Sequence, residues 1–318
     1  MKPKVLITER LDDDCAVWLA ERAEVEWVAH DDPDAMAGAL PEAEGMVVRT
    51  YTQVDAAMLA QAPKLRVVGR AGVGLDNFDL PACAAAGVEV VYTPDANTQA
   101  VVEYVTGLML DHVRPRAALP AGATAEAFHA LRQTEVGTQL DEMTLGILGF
   151  GRIGKRLGAV AHAVGMNLKV CDLLPEAELR QAVDFPFDCV THDELYAGSD
   201  ILSIHVDGRL ENREMIDAAA LAAMRDEVLL INAARGMLVD HEALVAWAAD
   251  RSGVRVLLDV HHPEPPAADS PLHGSANITL LPHLASRTAM ALKNMSWVVR
   301  DVAGVLAGDP PCYPAHVR

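Results

Sequence analysis

Short apolar runs alternate with amphipathic stretches along most of this chain. In its first third the runs are rich in Val, Leu and Ile and lie at residues 4–8, 46–49, 66–69 and 88–91. Runs of this kind predict strands that are buried on both faces, and strands that alternate with helices predict a parallel sheet. The pattern therefore predicts an α/β domain at the start of the chain.

The same alternation resumes at residue 145, after a stretch (115–143) rich in Ala, Gly and Thr that is predicted to leave the core. Further strands are predicted at residues 145–148, 168–171, 201–206, 228–232, 256–259 and 278–281. Helices are predicted at residues 98–114, 152–164 and about 286–306. The layout is that of two α/β halves, each with a parallel sheet.

The composition narrows the range of partners. Hydrophobic residues make up 51% of the chain and aromatic residues only 4%, so Ala, Val and Leu build the core. A formal net charge of −19 argues against nucleic acid or an anionic membrane as a partner. The N-terminus enters a strand without a secretory signal, and no apolar run approaches the roughly 20 residues of a membrane span. We therefore expect a cytoplasmic protein with a small-molecule partner.

Cysteine and histidine positions give no metal signal. The five cysteines are scattered and form no CxxC pair, which is typical of reduced structural thiols. His261 and His262 are adjacent, but neighbouring side chains point apart on an extended chain and no HExxH motif accompanies them. No metal is expected.

A glycine-rich turn in the second half has the pattern of a dinucleotide-binding motif. It follows the predicted strand 145–148, precedes a helix, and leads to a second strand that ends at Asp172. The glycines provide a tight turn, close approach to a pyrophosphate and close packing of helix on strand, while the helix N-terminus attracts the phosphates. A terminal acid suits a ribose with a free 2′-hydroxyl, which favours NAD over NADP. The predicted cofactor-binding residues here are Gly149, Gly151, Arg152, Ile153, Gly154 and Asp172.

Three chemically suitable side chains follow the last three predicted strands. Arg235, Glu264 and His283 come after strands 228–232, 256–259 and 278–281. The carboxyl ends of parallel strands share one edge of a sheet, where ligands bind. An arginine can hold a carboxylate and polarise a carbonyl, a histidine can exchange a proton with an alkoxide, and a glutamate can favour the imidazolium. These types together suit hydride transfer to a 2-keto acid.

The chain resembles the D-isomer-specific 2-hydroxyacid dehydrogenases, a family that includes phosphoglycerate, glycerate, formate and D-lactate dehydrogenases. The resemblance covers nearly the whole chain. It rests on the glycine-rich turn and on the segments 69–77, 93–98, 231–236, 258–265 and 281–283. It implies two Rossmann-like or flavodoxin-like domains with a cleft between them, and a catalytic trio of Arg235, Glu264 and His283.

The resemblance also implies further roles and boundaries. Residues 1–100 plus 285–318 would form the substrate domain and 101–284 the NAD-binding domain, with 115–143 as an arm that pairs subunits into a homodimer. Substrate contacts are expected from Arg49, Thr50, Ala71, Gly72, Val73 and Gly74. Further cofactor contacts are expected from Asn97, Thr98, His205, Val206, Ala233 and Asp259.

The chain departs from the family pattern at three places. Asp207 and Arg209 replace a proline and a threonine in the loop that lies against the cofactor, which affects the contacts expected there. The 115–143 arm lacks the expected tryptophan, and His261-His262 replaces an aromatic-bearing sequence before Glu264.

The leading named substrate is 3-phosphoglycerate, because the segment 49–52 resembles the Val-Arg-Ser-type segment of phosphoglycerate dehydrogenases. The chain ends soon after the last predicted helix, so no regulatory domain is expected. The alternative is an NAD(H)-binding sensor or corepressor without turnover, which would not need the trio. A Rossmann methyltransferase would need neither the trio nor an acid beside a pyrophosphate loop.

Overall fold

The computed structural model describes residues 2–315, and the chain divides into two compact units. The first comprises the described residues of Met1–Asn97 and Ser286–Arg318, and the second comprises Thr98–Ala285. Each unit is built on its own parallel sheet flanked by helices. The predicted α/β class with two parallel sheets is confirmed.

The first unit contains a five-stranded sheet. Its strands are β1 (Lys4–Ile7), β2 (Glu24–Trp27), β3 (Gly45–Val48), β4 (Val67–Arg70) and β5 (Glu89–Tyr92). They pair in parallel in the order β2-β1-β3-β4-β5. The helices between them are α1 (Asp13–Ala20), α2 (Pro33–Ala39), α3 (Ala56–Leu59) and α4 (Leu80–Ala85).

The second unit contains a seven-stranded parallel sheet in the order β12-β11-β10-β9-β6-β7-β8. The strands are β6 (Thr144–Leu148), β7 (Asn167–Cys171), β8 (Asp188–Cys189), β9 (Ile201–Ile204), β10 (Leu229–Asn232), β11 (Arg255–Leu258) and β12 (Ile278–Leu280). The helices are α5 (Thr98–Val113), α6 (Ala125–Thr134), α7 (Arg152–Ala163), α8 (Glu176–Gln181), α9 (His192–Gly198), α10 (Ala218–Ala223) and α11 (His241–Ala249). The chain then returns to the first unit with α12 (Ala289–Ser296) and α13 (Val298–Ala307).

Alternate side chains of each strand supply two core clusters per sheet. In β1, Leu6 packs into one cluster, while Val5 and Ile7 pack into the other, as the two-residue period of a strand requires. Helix α13 covers this second face with Val298 and Val302. The last helix therefore completes the core of the first sheet.

The second sheet is covered in the same way. On one face, Val105 of α5 and Leu157 of α7 pack in a cluster with Ile147 of β6. On the other face, Leu244 of α11 packs in a cluster with Leu202 of β9. Burial on both faces explains why these strands form near-continuous apolar runs in the sequence.

Strands β2 and β8 and helix α6 are among the elements that the sequence pattern did not locate. Strand β2 lies at a sheet edge and reads Glu-Val-Glu-Trp, so it contains no apolar run. Strand β8 is only two residues long. Helix α6 lies inside the 115–143 stretch, and none of its residues is buried, so no core-facing pattern revealed it.

The prediction of one final helix over 286–306 was wrong. The structure has α12 and α13, which are separated at Trp297. The hydroxyl of buried Ser296 donates to the carbonyl of Leu292 at 2.8 Å and accepts the N–H of Asp12 at 3.0 Å. A serine that bonds back to the preceding turn bends a helix, and the outside contact accounts for the break at this position.

Candidate active site

The predicted trio lies at one edge of the second sheet. Arg235 follows β10, Glu264 follows β11 and His283 follows β12. These strands are direct neighbours and run in parallel. The topology alone therefore brings the three side chains to the same edge.

The turn that carries Arg235 is held by the last residue of β10. The amide of Asn232 donates to the carbonyl of Arg235 at 2.9 Å, and its oxygen accepts the N–H of Ala234 at 3.0 Å. Gly236 allows the turn to approach the next strand end, because a Cβ at this position would collide with the carbonyl group of His261. The Arg235 turn is thus packed against the loop that carries Glu264.

Glu264 links that loop to His283. Its Oε1 lies 2.5 Å from Nδ1 of His283, and its Oε2 accepts the backbone N–H of His261 at 3.3 Å. Burial alone would raise the pKa of Glu264, but the hydrogen bond and charge of His283, together with the amide of His261, outweigh it. The pKa of Glu264 therefore lies below its ordinary value, and the carboxylate is ionised at neutral pH.

His283 occupies an uncommon backbone conformation that its neighbours hold in place. It has a positive φ of 54°. The carboxylate of Asp259 accepts the next two backbone N–H groups, from Leu284 and Ala285, both at 2.8 Å. The hydroxyl of Tyr104 donates to the same carboxylate at 3.1 Å. Buried Asp259 and Tyr104 of α5 therefore position the turn that carries His283.

The glycine-rich turn joins β6 to α7, as the motif requires. Gly149 has a φ of 92°, and a Cβ there would lie 2.7 Å from the carbonyl carbon of His205. Only glycine fits both the conformation and the space. No atom lies within 4 Å of the Cβ position of Gly151, so this part of the backbone is open to a ligand.

Asp172 lies beside this turn. It follows β7, and its carboxylate accepts the N–H of Phe150 at 2.5 Å and of Leu174 at 2.9 Å. These bonds hold the acid next to the glycines, where the ribose of a dinucleotide would be expected. Arg152 and Ile153 begin α7 directly after Gly151. The residues present thus fit NAD: an open backbone turn for the pyrophosphate and a fixed carboxylate for the ribose.

The remaining predicted cofactor residues lie at strand ends or at the start of α5. His205 and Val206 follow β9 and contact the glycine turn; burial lowers the pKa of His205 to about 4, so its ring is neutral at neutral pH. Ala233 follows β10 and Thr98 begins α5. Asn97 carries a buried side-chain oxygen with no hydrogen-bond partner within residues 2–315, a group that a ligand could satisfy.

The unusual loop after Val206 is braced by its own side chains. Arg209 donates from Nε to Asp207 Oδ1 at 2.7 Å and from Nη2 to Oδ2 at 2.5 Å. Asn212 donates to the carbonyl of Asp207 at 3.0 Å. Asp207 and Arg209, which replace a proline and a threonine of the family pattern, therefore compensate for one another. Their bidentate ion pair stiffens a loop that lacks the proline.

The predicted substrate residues belong to the first unit. Arg49 and Thr50 follow β3, and their backbone N–H groups both donate to the carboxylate of Glu9. Ala71–Gly74 follow β4, where the Arg70 side chain donates to the carbonyls of Ala71 at 2.7 Å and Gly74 at 2.9 Å. Both loops are thus held by neighbouring charged side chains.

Three residues that shape these sites were not predicted from the sequence: Glu9, Tyr104 and Asn232. Glu9 and Asn232 lie at strand ends, so the rule that found the trio could have found them. Tyr104 bonds to a residue 155 positions away in the chain, and no local pattern indicates such a contact. No group of His, Cys, Asp or Glu suited to a metal ion occurs in the part of the chain that is described. Within that part, no helix has the length and apolar character to cross a membrane.

Comparison with known proteins points to one family. A family model described as D-isomer specific 2-hydroxyacid dehydrogenase, NAD binding domain, matches residues 106–285. The D-3-phosphoglycerate dehydrogenase of Mycobacterium bovis is 37% identical over 310 residues, covering 96% of this chain and 57% of the relative. The chain thus spans little more than half the length of that relative.

Two further proteins match over nearly their whole length. The (S)-sulfolactate dehydrogenase of Chromohalobacter salexigens is 35% identical over 304 residues, covering 93% of this chain and 96% of the relative. A crystal structure of D-lactate dehydrogenase from Aquifex aeolicus, complexed with NAD and lactic acid, has a TM-score of 0.79 and 25% identity over 96% of each chain.

Proposed function

The chain belongs to the D-isomer specific 2-hydroxyacid dehydrogenase family, and from this premise we propose that it interconverts a small D-2-hydroxy acid and its 2-keto acid with NAD. The observation that carries the proposal is the 2.5 Å hydrogen bond between Glu264 and His283 at the sheet edge that also holds Arg235. The glycine turn and Asp172 lie in the same unit. Nucleotide-binding residues and a proton-transfer pair thus occur on one sheet.

The glycine turn and Asp172 would hold NAD, which would supply the acceptor for the hydride that leaves C2 as the hydroxy acid becomes a 2-keto acid. The hydroxyl proton passes to His283. Because the ionised carboxylate of Glu264 accepts the proton on Nδ1, the neutral ring has its lone pair on Nε2, the atom that takes the proton. Glu264 then stabilises the imidazolium, and the reverse reaction returns the proton to the carbonyl oxygen.

Arg235 supplies the recognition of the reacting end. Its guanidinium offers a planar fork of donors, which suits a carboxylate and an adjacent carbonyl oxygen. Its turn is fixed by Asn232 and by the close packing of Gly236. A fixed donor that meets developing negative charge lowers the barrier to reduction of the carbonyl.

We propose 3-phosphoglycerate as the leading named substrate. The support is the similarity to a D-3-phosphoglycerate dehydrogenase and the position of Arg49 and Thr50 at a strand end of the first unit. The relative named (S)-sulfolactate dehydrogenase makes sulfolactate the next compound to test. The proposal includes substrate contacts by Arg49, Thr50 and Ala71–Gly74.

The test is NADH oxidation, followed by nicotinamide absorbance, with 3-phosphohydroxypyruvate, 3-sulfopyruvate, hydroxypyruvate, glyoxylate and pyruvate. We expect a strong rate with one member of this panel and a much weaker rate with NADPH, since the proposed contact of Asp172 with the ribose would repel a 2′-phosphate. Flat traces across the panel, with NADH still bound, would contradict the enzyme and favour an NAD(H) sensor.

We also propose that the protein is a cytoplasmic homodimer. Helix α6 has no buried residue, and Phe128 on it and Val136 after it are exposed, at 40% and 75%. A second copy of the chain would cover these apolar side chains, which makes the 115–143 stretch the pairing arm. The proposed domains, 1–100 with 285–318 and 101–284, are supported by the division into two units. A monomeric mass in sedimentation equilibrium would contradict the dimer.

A further inference from the structure

A pocket of about 630 Å³ lies at the carboxyl edge of the first unit's sheet. Three of its walls are the loops that follow β1, β2 and β3, at residues 8–10, 29–31 and 49–51. The fourth wall is the segment that leads into α12 and includes Arg287. Open parallel sheets bind ligands at this edge, so the pocket has the position of a binding site.

The carboxylate of Glu9 organises one side of this pocket. It accepts the backbone N–H groups of Arg49 at 2.9 Å, Thr50 at 2.9 Å, Tyr51 at 3.1 Å and Thr52 at 3.2 Å. Burial would raise the pKa of Glu9, but these amides outweigh it and hold the pKa below its ordinary value. Glu9 is therefore ionised, and its oxygens are engaged by the backbone rather than by a guanidinium.

Two guanidinium groups line the same pocket. Arg49 donates from Nη1 to the carbonyl of Arg10 at 3.1 Å. Within residues 2–315, no hydrogen bond or ion pair engages the side chain of Arg287. Burial and then the nearby cation of Arg287 lower the pKa of Arg49. The two cations repel one another, and an anion bound between them would relieve that repulsion.

The other charged groups of the pocket do not cancel this excess of positive charge. Nδ1 of His30 lies 3.9 Å from Asp31, whose carboxylate is largely exposed to solvent. Arg10 adds a further cation to the lining. A local cluster of arginines in a chain with a net charge of −19 favours an anionic ligand at this place.

We propose that Arg287 and Arg49 form a subsite for a second, strongly anionic group of the substrate, a phosphate or a sulfonate. The inference rests on the proposed function, because it identifies the substrate as a 2-hydroxy acid with such a group in addition to its carboxylate. Arg287 is then a specificity-determining residue: it separates these acids from D-glycerate and D-lactate, which carry the carboxylate alone. A guanidinium fork suits both phosphate and sulfonate oxygens.

The experiment is isothermal titration calorimetry without NAD, so that binding is measured apart from turnover. The ligands are 3-phosphoglycerate, 3-sulfolactate and D-glycerate, and the proteins are wild type, Arg287→Gln, Arg287→Lys and Lys293→Gln. Lys293 is the matched control: it is a cation of α12 that pairs with Asp14 outside the pocket lining. Whichever bis-anionic acid binds more tightly to the wild type identifies the group.

We expect Arg287→Gln to weaken binding of the bis-anionic acid by about 10- to 100-fold, the loss of a charge-assisted contact. The affinity of Arg287→Gln for D-glycerate should stay close to that of the wild type, as should the affinities of Lys293→Gln for all three acids. Arg287→Lys should have an intermediate affinity for the bis-anionic acid. The subsite would be overturned if Arg287→Gln bound the bis-anionic acid as tightly as the wild type, or if it lost as much affinity for D-glycerate. It would also be overturned if Lys293→Gln lost as much affinity as Arg287→Gln, or if the wild type bound neither bis-anionic acid. If binding discriminates as expected but no keto acid is turned over, the proposed function alone fails.

Discussion

The carboxyl edges of the two parallel sheets use a glutamate in opposite ways. In the second unit, Glu264 binds the ring of His283 at 2.5 Å, so its charge acts on a titratable group. In the first unit, Glu9 binds four backbone N–H groups of residues 49–52 and leaves Arg49 and Arg287 directed at a pocket. The proposed function and the proposed subsite assign proton transfer to the edge of the second unit's sheet and anion binding to the edge of the first.

The difference shows that the position of a ligand edge follows from topology, whereas its chemistry depends on what each carboxylate is bonded to. A carboxylate on an imidazole tunes proton transfer. A carboxylate that accepts hydrogen bonds from backbone N–H groups stabilises a loop and leaves nearby arginines able to bind an anion. Substitutions at the carboxyl edge of the second unit's sheet should therefore act mainly on kcat. Substitutions at the carboxyl edge of the first unit's sheet should act mainly on KM.

The largest effect is expected at His283. Without the imidazole, the proton of the hydroxyl group has no positioned acceptor, and kcat should fall by about 10²- to 10⁴-fold in His283→Ala. Binding of NADH, measured by fluorescence, should stay near the wild-type value, because the glycine turn and Asp172 are untouched. Wild-type turnover by this variant would remove His283 from the proton-transfer step.

Replacing the glutamate of each edge by glutamine, first Glu264 and then Glu9, separates the roles of the two edges. Glu264→Gln removes the charge that stabilises the imidazolium, and we expect kcat to fall by about 10- to 100-fold, as for a lost charge-assisted bond. The pKa of Glu264 is lowered in the folded state, so its stabilising contribution is present above the ordinary glutamate value of about 4.3 and is lost as the pH falls through the lowered pKa. Urea unfolding should accordingly show a deficit for Glu264→Gln at pH 7 that disappears in acid.

Glu9→Gln should behave differently from Glu264→Gln. An amide retains one acceptor oxygen but loses the charge that holds four N–H groups, so the loop 49–52 should loosen. We expect KM for the substrate to rise by about tenfold, with a smaller change in kcat. A fall in kcat that matches the Glu264 variant would erase the proposed division between the edges.

The smallest effect is expected at Tyr104. In Tyr104→Phe the ring remains but the hydrogen bond to Asp259 is lost, a change of about 2- to 10-fold for a neutral donor. If Tyr104 positions the turn of His283, the loss should appear in kcat and in the pH profile and not in the affinity for NADH. An unchanged pH profile with weaker NADH binding would indicate a structural role at the cofactor site instead.

The fold could be predicted where apolar runs and alternation dominate, as in β1, β6 and β10, because strands buried on both faces leave that pattern. It could not be predicted for β2, where edge exposure allows glutamates, or for α6, which has no buried side chain. The break at Trp297 depends on a contact between Ser296 and Asp12, which are far apart in the chain.

The residues of the site also divide into those that could be predicted from the sequence and those that could not. Arg235, Glu264 and His283 could be found because each follows a recognisable strand, and the structure brings Glu264 and His283 into contact. Arg49 was predicted from the resemblance of the segment 49–52. Tyr104 and Arg287 depend on long-range packing, and nothing in the local sequence distinguishes them from surface residues. Their contribution became visible only with the hydrogen bonds and the pocket.

We propose that this chain removes a hydride from C2 of a D-2-hydroxy acid while His283 takes the hydroxyl proton. The most direct test is oxidation of the D- and L-isomers of 3-phosphoglycerate, deuterated at C2, with mass analysis of the NADH formed. We expect deuterium in NADH from the D-isomer with the wild type, and almost none with His283→Ala. NADH without deuterium, equal transfer from the L-isomer, or no NADH from this acid or from any acid of the keto-acid panel would contradict it.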